Sequence, residues 1–135
     1  MPVVFPADSF CGLISRAKGV ELSPEMLDVC RYLHLTEHLK IHDLTIEPHP
    51  YATASIQHAA CVGILNHFED LEPVFLEVSL ILKSNGVFGF VVADRRPEEQ
   101  ACFNVQRLDS QTIMFLHRSD QIGDFLDKTS FEILK

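Results

Sequence analysis

Apolar positions in this chain recur at helical spacing in some segments and in short unbroken runs in others, which predicts helices interleaved with strands. Ser23 and Pro24 stand just ahead of Met26, Leu27, Cys30 and Leu33. A hydroxyl that accepts a first-turn N–H, followed by a residue with no N–H to satisfy, predicts a helix over 24–34. A second helix is predicted from Asp70 as its cap, with Pro73 in the first turn and Leu71, Val74, Phe75, Val78, Ile81 and Leu82 on one face. Lys83 suits the negative pole of that helix, and Asn85-Gly86 is expected to end it in a left-handed turn. Leu76 and Leu80 widen the apolar face, which suggests burial against a neighbour, a second copy included.

The remaining apolar runs read as strands: LKIHDL (39–44), AACVGIL (59–65), VFGFVVA (87–93), TIMFLH (112–117) and FEILK (131–135), with RRPEEQ after Asp94 as an exposed loop. The segment 119–130 predicts a short helix capped by Ser119. VFGFVVA has no polar alternation, so it is expected to be covered on both faces, as in a parallel sheet between two layers of helices. The fold class that follows is α/β, a doubly wound and mostly parallel sheet whose final strand, 131–135, is antiparallel.

Length and composition narrow this further. A chain of 135 residues, 47% apolar, is enough for one ordinary core, so a single domain over 1–135 is expected. No apolar run approaches the roughly 20 residues of a membrane span, and the N-terminus lacks the pattern of a secretory signal, which predicts a soluble cytoplasmic protein with no membrane partner. Net charge of −8 repels a phosphate backbone, so nucleic acid is not an expected partner. Cys11, Cys30, Cys61 and Cys102 are scattered with no paired spacing and read as reduced, mostly buried thiols.

Three segments resemble motifs of class I S-adenosylmethionine-dependent methyltransferases, whose Rossmann-like sheet matches the order of elements predicted above. GVELSPEML (19–27) resembles that family's second strand, the acid at its end and the next helix. A carboxylate at the end of a parallel strand can accept hydrogen bonds from both ribose hydroxyls of a nucleoside, which assigns Glu21, flanked by Leu22 and Met26, to the cofactor. HDLT (42–45) resembles the adenine contact after the third strand, with Asp43 as acceptor and Leu44 as apolar face. The longest match, CVGILNHFEDLEPVFLEVSLILKSNGVFGFVV (61–92), resembles the fourth strand through the fifth. It implies that Cys61, Val62 and Gly63 lie beside the methionine portion of the cofactor, S-adenosylmethionine, with Asn66 and His67 beneath the transferable methyl group. His67, with an ordinary pKa near neutrality, is then the candidate catalytic base.

The resemblance is weakest at the start. In PADSFCGLISRAKGVELS, Asp8 matches the family's acid and Gly12 a surviving glycine, while Phe10 stands where the first glycine belongs. Gly12 and Glu21 are nine residues apart, fewer than the roughly 10–12 that a crossover helix and strand need, so the fold is expected to be reduced at its N-terminus. Gln57 likewise stands where the family places an acid.

Two functions follow. One is methyl transfer to a small-molecule or protein acceptor; the alternative is a truncated, catalytically inactive member that acts as a binding module. His34, His38 and His42 lie four apart, but the turn expected after His38 breaks their alignment, so no metal site is assigned. Asp94, Arg95 and Arg96 are read as a solvated loop with the charge to meet a carboxylate.

Overall fold

The computed structural model describes residues 18–34, 38–106 and 111–134. Its elements run β1 (Lys18–Glu21), α1 (Pro24–Tyr32), β2 (His38–Ile41), β3 (Ile56–Cys61), a 3-10 turn (Leu65–His67), α2 (Glu72–Ile81), β4 (Leu82–Phe90), β5 (Cys102–Gln106), β6 (Gln111–Phe115) and α3 (Ser119–Lys128). Among the described residues β1 pairs with β2 and β3 with β4, both parallel, while β5 and β6 form an antiparallel pair. The expected α/β class with a mostly parallel arrangement is what the chain adopts.

Local chemistry explains the helix boundaries. Ser23 accepts the Met26 N–H at 3.3 Å and Pro24 opens α1, as the sequence predicts. The helix stops at Tyr32, because His34 takes a left-handed backbone (φ 53°) and closes the end with a bond to Arg31 C=O. At α2 the cap position belongs to Leu71, and Asp70 Oδ1 accepts the Glu72 N–H at 2.9 Å from one residue further out. At α3 it belongs to Arg118, whose guanidinium pairs with Asp120, so Ser119 is the first helical residue and not the cap.

The structure corrects the sequence reading in four places. First, α2 ends at Ile81 and not at Asn85-Gly86, because the Ala54 and Ser55 N–H groups take the carbonyls of Leu80 and Ile81 and draw the chain straight into β4. Asn85 is indeed left-handed (φ 62°), but it lies in a bulge where the pairing jumps from Ile56–Leu82 to His58–Val87. Gly86 passes so close that a Cβ there would sit 2.6 Å from the Gln57 carbonyl and 2.9 Å from that of Lys83, so only glycine fits.

Second, residues 131–134 form no strand. Ser130 is left-handed and Phe131 N–H returns to Leu126 C=O, which caps α3 and lays the Phe131 ring 5.7 Å from Phe88. The antiparallel pairing falls instead to β6 and to β5, a strand the sequence did not signal.

Third, β3 begins and ends earlier than 59–65. Gly63 (φ 77°) turns the chain into the 3-10 segment. Fourth, among the described residues the apolar run of β4 is covered on one face only. Phe88, Phe90 and Val92 pack inward with Phe75 of α2 and Phe125 of α3, whereas Val87 and Val91 are 42% and 60% exposed, with Val62 beside them at 46%.

One core joins these pieces. Val20 from β1, Leu44 after β2, Cys61 and Leu65 around the end of β3, Val74, Phe75 and Val78 of α2, and Ile122 and Leu126 of α3 belong to the same buried cluster. Leu76 and Leu80 stand outside it, 45% and 47% exposed.

Candidate functional site

Parallel strands send their carboxyl ends to one edge, where the loops that follow are free to meet a ligand. Glu21 pairs with Ile41 at the ends of β1 and β2, and Cys61 with Phe90 at the ends of β3 and β4. Leu44 after β2 and Cys61 and Leu65 around the end of β3 belong to the one buried cluster. Glu21, Leu22 and Met26, then Asp43, then Val62, Gly63 and His67 thus belong to the segments that follow three parallel strands.

Leu22 and Met26 are 56% and 43% exposed, an apolar surface beside the end of β1. Asp43 Oδ1 accepts from both the N–H (2.8 Å) and the hydroxyl (2.7 Å) of Thr45, which folds the turn and holds the carboxyl below its ordinary range. Gly63 takes a left-handed backbone (φ 77°) that favours glycine, and among the described residues nothing lies within 4 Å of where its Cβ would point. His67 is half-buried at the end of the 3-10 turn, with its N–H on Ile64 C=O.

Other residues singled out by sequence turn inward. The Leu44 and Cys61 side chains are 4% and 0% exposed and serve packing, which leaves only their backbone for a ligand. Burial pushes the Cys61 thiol up to about 12, so alkylation of the native protein by iodoacetamide is expected at exposed Cys102 and not at Cys61, as peptide mass mapping will show. Asn66, expected beneath the methyl group, is 9% exposed and bonds to the backbone of Ala93 and Phe115. Asp8 and Gly12 lie outside the described residues. His42 has its Nε2 3.1 Å from Ile46 C=O and its ring edge-on to His49, and among the described residues no group of three metal-ligating side chains forms.

Three residues beneath the loops carried no sequence signal. Glu77, 7% exposed on α2, accepts the His49 N–H at 2.8 Å and so ties the loop after β2 to the helix. His49 and His117 are both 6% exposed. Burial lowers the pKa of each below the ordinary histidine value, outweighing for His49 the Leu44 carbonyl and Glu77, and for His117 the backbone of Phe68 and Leu65 and the carboxylate of Asp70. In the unfolded chain both take up a proton below about pH 6.5, while in the folded protein both resist it. Stability is therefore full above pH 6.5 and is lost as pH falls through the lowered folded values. The urea midpoint is expected to be lower at pH 5.5 than at pH 7.5; an unchanged midpoint would contradict the burial of both rings.

The described residues thus form an α/β fold with parallel strands, an acid at the end of one and a glycine turn at the end of another. The chain belongs to the methyltransferase-domain family, whose model matches residues 5–90. Its fold is similar to that of a SAM-dependent methyltransferase of Methanosarcina mazei (TM-score 0.73, 14% identity, covering 87% of this chain and 70% of that one). It is also similar to a putative S-adenosylmethionine-dependent methyltransferase of Listeria monocytogenes (0.69, 16%, 87% and 64%) and to a protein of Pyrococcus horikoshii (0.61, 14%, 82% and 61%). The chain thus spans between 61% and 70% of the length of these structures. No curated protein matches it. Among the described residues no helix is long and apolar enough to cross a membrane.

Proposed function

We propose that this protein binds S-adenosylmethionine at the carboxyl edge of its parallel strands and transfers the methyl group to a small-molecule or protein acceptor. The observation that carries this reading is the left-handed Gly63 turn at the end of a parallel strand, in a chain whose β1 ends on Glu21 and whose β2 is followed by Asp43. A sulfonium-bound methyl group supplies the electrophile when the cofactor is bound. The residues present suit such a group: an acid to meet a ribose, an apolar surface at Leu22 and Met26 for a base, and a turn without a side chain for close approach.

In this reading Glu21 binds the ribose, Asp43 and the Leu44 backbone orient the adenine, and Val62 and Gly63 flank the amino-acid portion. His67 stands at the same edge to accept a proton from the acceptor. The protein acts in the cytoplasm, and self-association uses the exposed Leu76 and Leu80. The second reading, a binding module without catalysis, is favoured by the open apolar face at Val62, Val87 and Val91, which offers a protein contact.

Calorimetric titration with S-adenosylmethionine and S-adenosylhomocysteine tests the choice. Micromolar binding is expected, and Glu21→Ala is expected to weaken it by roughly tenfold or more, the worth of a charge-assisted hydrogen bond. Absence of heat up to millimolar ligand would defeat the cofactor reading and favour the binding module.

A further inference from the structure

Past the end of β4 the chain approaches β6, and the two share one main-chain bridge, between Asp94 and His117. There His117 N–H bonds to Ala93 C=O at 3.3 Å and Arg95 N–H to His117 C=O at 3.0 Å. Ahead of that bridge, Ala93 and Phe115 take a partner from a third segment. Asn66 Oδ1 accepts the Ala93 N–H at 2.9 Å, and Nδ2 donates to Phe115 C=O at 2.6 Å and, more weakly, to Ala93 C=O at 3.4 Å. A primary amide has one acceptor and two donor hydrogens, and both kinds are used, as a peptide unit inserted between two strands would use them.

Asn66 is also the middle residue of the 3-10 turn that follows Gly63 and ends at His67. Its side chain therefore fixes the turn at its centre, and the turn's own bonds, His67 N–H to Ile64 C=O and Phe68 N–H to Leu65 C=O, are short-range and weak in constraint by themselves.

We propose that Asn66 is a positioning residue, which staples the Gly63–His67 turn to the ends of β4 and β6 and so sets the height of the cofactor pocket's floor. This rests on the proposed cofactor reading for its functional consequence, but not for the staple itself.

The chemistry makes a sharp distinction between amide and carboxylate. An aspartate at 66 fills the same space and keeps the Ala93 bond, yet sets a negatively charged oxygen against the Phe115 carbonyl. Protonation restores a donor, and because burial and that repulsion both raise the acid's pKa, the restoration is expected on moving from pH 8 to about pH 5.5. Acidification weakens the native protein through His49 and His117, so recovery in this one variant runs against the general trend.

The experiment has two arms. In nitrogen-15-labelled wild-type protein, the Asn66 side-chain protons are expected to exchange with solvent at least about tenfold more slowly than those of an exposed asparagine, the mark of a closed buried bond. Free exchange would overturn the staple. In the second arm, S-adenosylhomocysteine affinity is measured for wild type, Asn66→Ala and Asn66→Asp at pH 8 and pH 5.5. Asn66→Ala is expected to weaken binding by roughly tenfold at both, and Asn66→Asp at pH 8 only. Wild-type affinity in Asn66→Asp at pH 8, or a loss that acid does not reverse, would overturn the positioning role. If the wild type binds no cofactor, the functional reading fails separately, and exchange of the His67 and Phe68 amides in Asn66→Asp at the two pH values tests the staple alone. If Asn66→Asp does not fold at pH 8, the wild-type exchange arm decides.

Discussion

Replacement of Phe75 by alanine is expected to remove about 3–5 kcal/mol of stability, enough to unfold much of the protein at 37 °C given typical totals of roughly 5–15 kcal/mol. Phe75 is fully buried at the centre of α2, and its ring meets Phe88 (5.7 Å), Phe90 (5.1 Å) and Phe125 (6.2 Å). Rings from β4 and α3 thus converge on one side chain of α2. Its loss leaves a cavity bounded by rings too large to collapse into it, while on the other face of this strand region Val87 and Val91 are exposed. Urea denaturation measures this directly, with Phe75→Leu as the milder control. A change below about 1 kcal/mol in Phe75→Ala would mean that the aromatic cluster is not the centre of the core.

The second large effect is expected at Glu77. Glu77→Ala removes the acceptor for the buried His49 N–H and is expected to cost roughly 2–3 kcal/mol, because a buried donor without a partner loses its hydration and gains nothing in return. The loop so released contains Asp43 and Leu44, and its His49 ring leans on Leu44 C=O and His42. Amide exchange should therefore rise over 42–50 before it rises in α2 or α3. S-adenosylhomocysteine affinity should fall with it if Asp43 orients the adenine. Glu77→Gln keeps an acceptor oxygen at the same reach and is expected to retain most of the stability. Equal losses in the alanine and glutamine variants would point to the charge, and not the hydrogen bond, as the source.

The legible parts of the molecule were those fixed by neighbours in sequence. Ser23-Pro24 opened α1 as expected, since a cap and a first-turn proline act within four residues. The helical periodicity of 71–82 located α2, and parallel strands were foreseen from apolar runs with no alternation. The acid that ends β1 was legible from chain order, whereas Asp43 and Gly63, expected within strands 39–44 and 59–65, lie in the loops that follow β2 and β3. What failed depended on distant partners. Asn85-Gly86 looked like a helix stop, but the N–H groups of Ala54 and Ser55, about thirty residues away, ended the helix sooner. FEILK alternates like a strand, yet Phe131 finds Phe88 and becomes a cap. Asn66 looked like a residue beneath the methyl group, because nothing local reveals that Ala93 and Phe115 need its amide.

By itself, then, the sequence determined the class of fold, the places of the three helices and the family, because capping, periodicity and strand-end residues are local or follow chain order. Tertiary structure decided which side chains of the candidate site face inward, which histidines are buried, which face of β4 stays open and which amide holds the Gly63–His67 turn. Those outcomes depend on which groups remain without water or a partner once the chain has closed, and such accounts are settled between residues 27 to 49 positions apart, as at Asn66 and His49.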